Sequence, residues 1–346
     1  MNAAPWRITF DTNPDDCNLR CLMCEEHSPL SPKQTERIAC GQPPRRMDIR
    51  VLEHVLEELK DCPPRELIPS TMGEPLLYQP FDVVLERCRH YGIRLNLTTN
   101  GTFPKDGAVE WARKIVPIGS DVKISFNGIQ AETQESIMAH SRFESVIANI
   151  RSFIATRDDH AARGDNYCSV TLQVTFMERN LSELPEIIRL AASLNVDRVK
   201  GHHLWVHFPA MKEQDLRRSP ESVARWNQTL AQCQDTAKSC TRPSGNHVKL
   251  ENFTPLAFCE TQTTPPDSDC PFLGREAWIN HSGRFDPCCA PDHLRQSLGA
   301  FGTVQEFGFL NIWRSQQYRG LVSGYQRQPL CQTCLLRRHP APTNQP

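Results

Sequence analysis

Cys17-Asn18-Leu19-Arg20-Cys21-Leu22-Met23-Cys24 places three thiols in one short run, directly after the apolar-alternating stretch Trp6 to Phe10. That is more soft ligand than packing requires. Three thiolates at this spacing can wrap one face of a [4Fe–4S] cube and hold three of its irons, leaving the fourth iron open to a small molecule. The competing readings are a zinc site and inert buried thiols. Structural zinc sites usually close with four ligands in C-x2-C pairs, which this run does not supply.

Outward from the run, Glu25 to Arg46 carries Pro29, Pro32, Pro43 and Pro44 without sustained periodicity and reads as a long loop, of the kind that often forms a lid. Asp48 is placed to cap a helix whose apolar positions Val51, Leu52, Val55, Leu56 and Leu59 follow the helical period. A short strand, Glu66 to Ser70, then runs into Thr71-Met72-Gly73-Glu74-Pro75-Leu76, where Gly and Pro set a sharp turn. A helix with Phe81, Val84, Leu85 and Cys88 on one face ends at Gly92. Arg94 to Gly101 reads as an alternating strand ending in a polar turn. The alternation repeats: strand Asp121 to Phe126, helix Arg142 to Thr156, strand Cys168 to Phe176, helix Leu184 to Leu194, strand Arg198 to Leu204.

Six strands alternating with helices predict parallel βαβ units, whose right-handed crossovers curl toward a barrel. In such barrels chemistry sits at the carboxyl ends of the strands. Those ends carry Cys17 to Cys24, Glu74, Thr98 to Asn100, Ser125, Asn127, Gln173 and Lys200 to His203. In Lys200-Gly201-His202-His203-Leu204-Trp205, three titratable side chains and a Trp could bind an anionic or hydroxylated substrate and move protons. The alternative is a His pair hydrogen-bonded within the barrel wall.

Arg217 to Cys240 reads as a polar helix and Thr241 to Asp269 as a connection, which predicts a large domain over 1–240 and a small one over 241–336. Cys270 opens a segment in which Ala277 to Asn280 and Arg284-Phe285 flank His281-Ser282-Gly283, a hairpin signal, before Cys288-Cys289. Cys331-Gln332-Thr333-Cys334 follows on a short turn. Four thiolates in two groups fit a fully ligated cube or a structural zinc. The aromatic-rich stretch Gly299 to Ser323 is expected to pack the small domain onto the barrel. Residues 337–346 read as a disordered tail.

The C-x3-C-x2-C run with Met23 before its third Cys resembles the radical S-adenosylmethionine (SAM) superfamily. Gly73-Glu74-Pro75 resembles that superfamily's Gly-Gly-Glu-Pro motif, with Met72 in place of the first Gly. Cys270-x12-Gly283-x4-Cys288 followed by C-x2-C resembles the twitch domain, the shortened form of the SPASM extension. The resemblance implies an α/β fold, a partial (β/α)6 TIM-like barrel with a small hairpin-plus-helix cluster domain. It implies a [4Fe–4S] cluster on Cys17, Cys21 and Cys24 whose open iron SAM chelates, and one-electron cleavage of SAM to a 5′-deoxyadenosyl radical. Met23, Gly73, Glu74, Pro75, Thr98, Asn100, Ser125, Asn127 and Gln173 then become expected SAM contacts. Many relatives carry Asp where Asn127 stands and an Arg near Met138, a guanidinium that Arg142 would supply here. A second, auxiliary [4Fe–4S] cluster is expected on Cys270, Cys288, Cys331 and Cys334, passing electrons; Cys289 could replace Cys288, and Cys259 could be a ligand or a bystander.

In this chain of 346 residues, 39 basic and 40 acidic side chains give no electrostatic footprint for nucleic acid or an anionic membrane. No apolar run of about 18 residues exists, and Met1 to Pro5 lacks the features of a signal peptide, so a cytoplasmic protein is expected. Fifteen cysteines in such a chain point to metal binding rather than disulfides. The expected partners are a small-molecule substrate and a reducing protein such as flavodoxin or ferredoxin. Lys200, His202 and His203 are the candidate catalytic residues for oxidation or decarboxylation of a sugar, cyclitol or nucleoside. The alternatives are peptide modification, against which stand the few residues preceding Cys17, transfer of the 3-amino-3-carboxypropyl group of SAM, and a non-enzymatic iron–sulfur electron carrier.

Overall fold

The computed structural model describes residues 4–70, 72–258, 268–334 and 336–337. Cys259 and the expected tail beyond residue 337 lie outside them. Arg20–Cys21 pairs with Met138–Ala139 in a separate small ladder, and the strands of the main sheet are β1 Arg7–Phe10, β2 Glu66–Ile68, β3 Arg94–Thr99, β4 Gly119–Ser125, β5 Ser169–Phe176, β6 Arg198–His203, β7 Lys249–Glu251, β8 Glu276–Ile279 and β9 Phe285–Asp286. They form one sheet in the order β9-β8-β1-β2-β3-β4-β5-β6-β7, parallel throughout except for β9. The six central strands are those read from the sequence, and with their helices they make the partial barrel.

Helices α1 Ile49–Glu58, α2 Phe81–Tyr91, α3 Gly107–Ile115, α4 Phe143–Ala162, α5 Leu184–Ser193 and α6 Pro220–Ser239 cover the outside. Each turns an apolar stripe inward, as Val51, Leu52, Val55 and Leu56 do on α1. Asp48 caps α1 by accepting from Arg50 N, and α2 stops at Gly92 in the left-handed conformation. Three features differ from the sequence reading. Helix α3 was not expected, and the 25–46 loop contains a short helix, Lys33–Ala39. The connection after residue 240 contributes β7, a three-residue strand that completes the far edge of the sheet. No helix among the described residues is long and apolar enough to cross a membrane.

The carboxyl-terminal segment, expected as a separate small domain, shares this sheet: β8 pairs in parallel register with β1, Arg7 opposite Glu276 and Phe10 opposite Ile279. Behind the hairpin, Phe285, Phe301, Phe309, Trp313 and Tyr318 make an aromatic cluster, with Phe285 and Tyr318 5.1 Å apart edge to face. Glu58 at the end of α1 accepts from the backbone N–H groups of Phe309 and Leu310 at 2.9 and 3.0 Å, fastening that cluster to the barrel.

The inner face of the sheet is polar. Glu276 meets Arg7 at 3.1 Å and Arg7 meets Glu66 at 2.8 Å. Glu66 accepts from Asn96, which bonds Lys123. Asp121 joins Lys123 (3.8 Å) to Arg198 (2.7 Å) and accepts from Thr171, while Glu251 holds Arg198 and Lys200, each at 2.8 Å. All eight parallel strands contribute to this chain of contacts. Its four cations and four carboxylates balance, which offsets the cost of enclosing them.

Candidate functional site

The loop after β1 carries the first three cysteines, and three contacts fix its position. Glu74 N donates to Asp16 O at 2.7 Å, Asn13 Nδ2 donates to Glu74 O at 2.9 Å, and Leu22 N donates to Ile137 O at 2.8 Å. Gly73 has φ +76°, and a Cβ there would collide with the backbone oxygens of Asn13 and Asp16. Only glycine lets the turn lie flat on the cysteine loop. Glu74 is fully buried and its carboxylate accepts from Thr99 Oγ1 (2.8 Å), Asn100 N (2.7 Å) and Leu76 N (3.3 Å). Burial pushes its carboxyl up to about 7 against those three donors. Its side chain thus ties the turn to the end of β3, with Pro75 opening a single helical turn behind it.

Asn100 donates to Asn18 Oδ1 at 2.8 Å and lies 4.0 Å from Cys17 Sγ. Leu19 N and His27 N approach Cys17 Sγ and Cys24 Sγ at 3.5 and 3.3 Å, as donors to thiolate sulfur do. Met23, Leu22, Cys17 and Cys21 pack on a small apolar cluster of Leu19, Ile137, Met138, Met177, Leu204 and Met211. Burial raises all three thiols, Cys17 to about 11, and the nearness of the others raises Cys17 and Cys21 further. Deprotonating them together requires a compensating positive charge, which iron supplies, so the donor set fits a cluster. Among the described residues no three His, Cys, Asp or Glu side chains converge as the ligands of a single ion would.

Register aligns Ser125, Gln173, Lys200 and Glu251 side by side across β4 to β7, with Thr98 beside Lys123 one step below. His202 lies one step above Lys200, its Nε2 3.1 Å from Thr175 Oγ1. It keeps surface open to the lumen yet is ringed by protein, and this enclosure pushes its imidazole down to about 4. Two expected contacts are placed otherwise. Asn127 is built into the wall, its Oδ1 accepting from Thr175 N (2.8 Å) and its N–H donating to Gln134 Oε1 (2.7 Å). Arg142 is exposed at the start of α4.

His203 is a correction: strand alternation turns it away from the lumen, onto Phe176 (5.3 Å) and Trp226 (4.7 Å), and neither ring nitrogen has a hydrogen-bond partner. It is a packing residue. Replacing it with Phe removes two buried unpaired nitrogens and is expected to stabilise the fold by about 1 kcal/mol, read as a higher melting temperature. The sign of the pH effect follows from burial, which pushes His203 down to about 4 from 6.5. As pH falls through that window the unfolded chain takes up a proton that the folded chain refuses, so stability declines. The Phe variant should lose less stability there than the native chain.

In the carboxyl-terminal segment Cys270, Cys288, Cys289, Cys331 and Cys334 line one cavity of about 350 Å³, with Trp205 and Arg217 among the residues of its wall. Burial pushes Cys288 up to about 11 and Cys331 up to about 12. Leu273 N reaches Cys270 Sγ at 3.4 Å. Gly283 has φ +83°, a left-handed conformation that favours glycine at the hairpin turn. Cys289 keeps surface open inside the cavity and feels Glu276 of the lumen chain as well as the other thiols. Arg337, read from sequence as the head of the tail, is buried and donates to Ser268 O (2.6 Å) and Cys331 O (2.9 Å). Sequence reasoning missed Asn13 and Glu251, which act through contacts no local pattern encodes; Thr99 lay within the stretch Thr98 to Asn100 but was not singled out.

The sequence model of an iron–sulfur cluster-binding domain, SPASM, matches residues 270–335. The tungsten-containing aldehyde ferredoxin oxidoreductase cofactor-modifying protein of Pyrococcus furiosus is 24% identical over 340 residues, covering 93% of this chain and 85% of the relative. Pre-heme d1 synthase of Dinoroseobacter shibae is 30% identical over 190 residues, covering 54% of this chain and 41% of the relative. Among solved structures, Streptococcus suis SuiB bound to S-adenosylmethionine superposes with a TM-score of 0.66 at 14% identity, over 96% of this chain and 72% of SuiB. AdoMet-bound anSMEcpe does so with a TM-score of 0.63 at 14% identity, over 92% and 80%. The model of the radical SAM superfamily matches residues 14–191, more than half of the sequence, and the chain therefore belongs to that superfamily.

Proposed function

We propose that this enzyme abstracts hydrogen from a carbon of a small, hydroxyl-bearing substrate held at the mouth of the barrel beside Lys200 and His202. Its cofactors are a [4Fe–4S] cluster, SAM and an auxiliary iron–sulfur centre. When bound, the first cluster supplies the electron that splits SAM and so generates the hydrogen-abstracting radical. Cys17, Cys21 and Cys24 hold it. Gly73 to Pro75, Asn100, Ser125 and Gln173 border the space for SAM, and Cys270, Cys288, Cys331 and Cys334 hold the auxiliary centre.

The observation that carries this reading is the row Ser125, Gln173, Lys200 and Glu251, with His202 one step nearer the mouth. Glu251 holds Lys200 in an ion pair, so Lys200 orients a substrate oxygen and the proton acceptor is His202. A neutral imidazole there takes the hydroxyl proton as the substrate carbon is oxidised, Thr175 fixing its ring. Next to this mouth the cavity of the auxiliary thiols offers the electron a destination.

The test supplies sugars, aminocyclitols and nucleosides deuterated at the reacting carbon, with SAM and reductant. Deuterium should appear in 5′-deoxyadenosine, with about one SAM consumed per product. His202→Gln should slow product formation by roughly a hundredfold, within the usual range for a lost general base, and leave substrate-free cleavage of SAM unchanged. Methylthioadenosine with an aminocarboxypropylated product would overturn the reading in favour of group transfer. Conversion of a peptide, with none of the small molecules turned over, would overturn it in favour of peptide modification.

A further inference from the structure

The cysteine run lies between two pairs of carboxylates, Asp15 and Asp16 before it and Glu25 and Glu26 after it. A thiolate-held cube carries negative charge of its own, and added electrons make it more negative. Four nearby carboxylates would oppose reduction. Each is met by a cation of the segment that folds over the loop. Lys33 Nζ reaches Glu25 at 2.6 Å and Glu26 at 2.9 Å. Arg46 pairs in two-pronged fashion with Asp16 at 2.7 Å, and Arg37 stands 3.4 Å from Asp15.

Arg45 makes the contact that the others do not. Its Nη2 bonds Asp15 Oδ1 and Glu26 Oε2, both at 2.6 Å, while its Nε and its backbone N–H bond the two oxygens of Asp15 at 3.0 and 2.7 Å. One guanidinium therefore joins the residues on either side of the cysteine run. His27 repeats the link, with Nε2 2.7 Å from Pro14 O and Nδ1 2.6 Å from Gln34. Exposed ion pairs contribute little, but the side chains of Asp15 and Glu26 are only 11% and 9% exposed, so this link is little screened by water.

We propose that Arg45 is a positioning residue for the SAM-cleaving cluster: it clasps the two ends of the cysteine loop and, with Lys33, Arg37 and Arg46, offsets the flanking carboxylates so that the cluster accepts an electron. The clasp fixes the width of the loop and hence the spacing of its thiols. The charge balance acts on the potential, which in such clusters follows net charge and hydrogen bonding.

The experiment uses the full chain with both clusters reconstituted, titrated electrochemically and followed by EPR, and separately challenged with an iron chelator. Arg45→Met removes both charge and clasp. At a fixed potential its ratio of reduced to oxidised first cluster should fall by roughly threefold or more, as expected when a partly enclosed charge is lost, and iron should leave faster. Arg45→Lys keeps the charge but cannot span both carboxylates, so its potential should stay near that of the native chain while iron still leaves faster. A native midpoint in Arg45→Met would overturn the electrostatic half, and native iron retention in both variants the clasp. If Arg45→Met does not fold, Arg45→Lys decides: native iron loss refutes the clasp, and a midpoint displaced despite the retained charge refutes the charge argument.

Discussion

Replacing Cys21 by Ala is expected to reduce 5′-deoxyadenosine formation to background in the reconstituted protein supplied with SAM and a strong reductant. Cys21 is the middle thiol of the loop, and its backbone is paired with Met138 in the small two-stranded ladder beside the barrel mouth. That pairing does not use the side chain, so the loop should keep its shape in the variant, while a cluster held by Cys17, Cys21 and Cys24 would lose one of its three protein ligands. Undiminished SAM cleavage by Cys21→Ala would remove these three cysteines from the chemistry.

The second large effect concerns iron content. Reconstituted protein should carry about eight irons, the content of two cubes, and a Cys331→Ala, Cys334→Ala double variant about four. Because Cys331 and Cys334 line the same cavity as Cys270 and Cys288, removing the pair leaves too few thiolates for a fully ligated cube. Cleavage of SAM without substrate should survive, since the first loop is untouched. Stoichiometric zinc in natively purified protein, with iron unchanged in the variant, would show that the second site is a structural zinc centre.

The chemistry-bearing loops were the most legible part of the sequence, because ligand spacing is a local property. Three thiols within one loop, and a Gly that must lie against a neighbouring backbone, announce themselves without knowledge of the fold. The six central strands were legible for a related reason: one face packs on the helices and the other is polar, so they alternate apolar and polar residues between helical stripes. Helix α3 was overlooked although Ala108, Trp111, Ala112 and Ile115 are its buried positions at helical spacing, because Pro104 and Gly107 around its start read as loop. Strand β7 is too short to have a period.

What did not show in the sequence is long-range pairing. Arg198, Glu251 and Lys200 look like ordinary polar residues in or beside strands, and only the register reveals that they complete a neutral chain of ion pairs. The side of the strand to which a residue belongs was also decisive for function: His202 and His203 are neighbours in sequence, yet alternation gives one to the lumen and the other to the helix layer. Arg142 stands exposed where α4 begins, a placement set by the start of the helix rather than by any motif.

Strand β1 is flanked on one side by β2 and on the other by β8, whose Glu276 lies 269 residues beyond its ion-pair partner Arg7. During synthesis the strand that leads into the cysteine loop therefore keeps one open edge until the segment around residue 276 has left the ribosome. An unpaired parallel edge of this kind is slow to close and prone to wrong partners. Iron delivered early would meet a loop whose supporting strand is still half-paired. Assembly of a metallocentre on that loop would then depend on the arrival of the carboxyl-terminal hairpin, and a chain truncated before residue 276 is expected to lose support for the first cysteine loop as well as the second group of thiols.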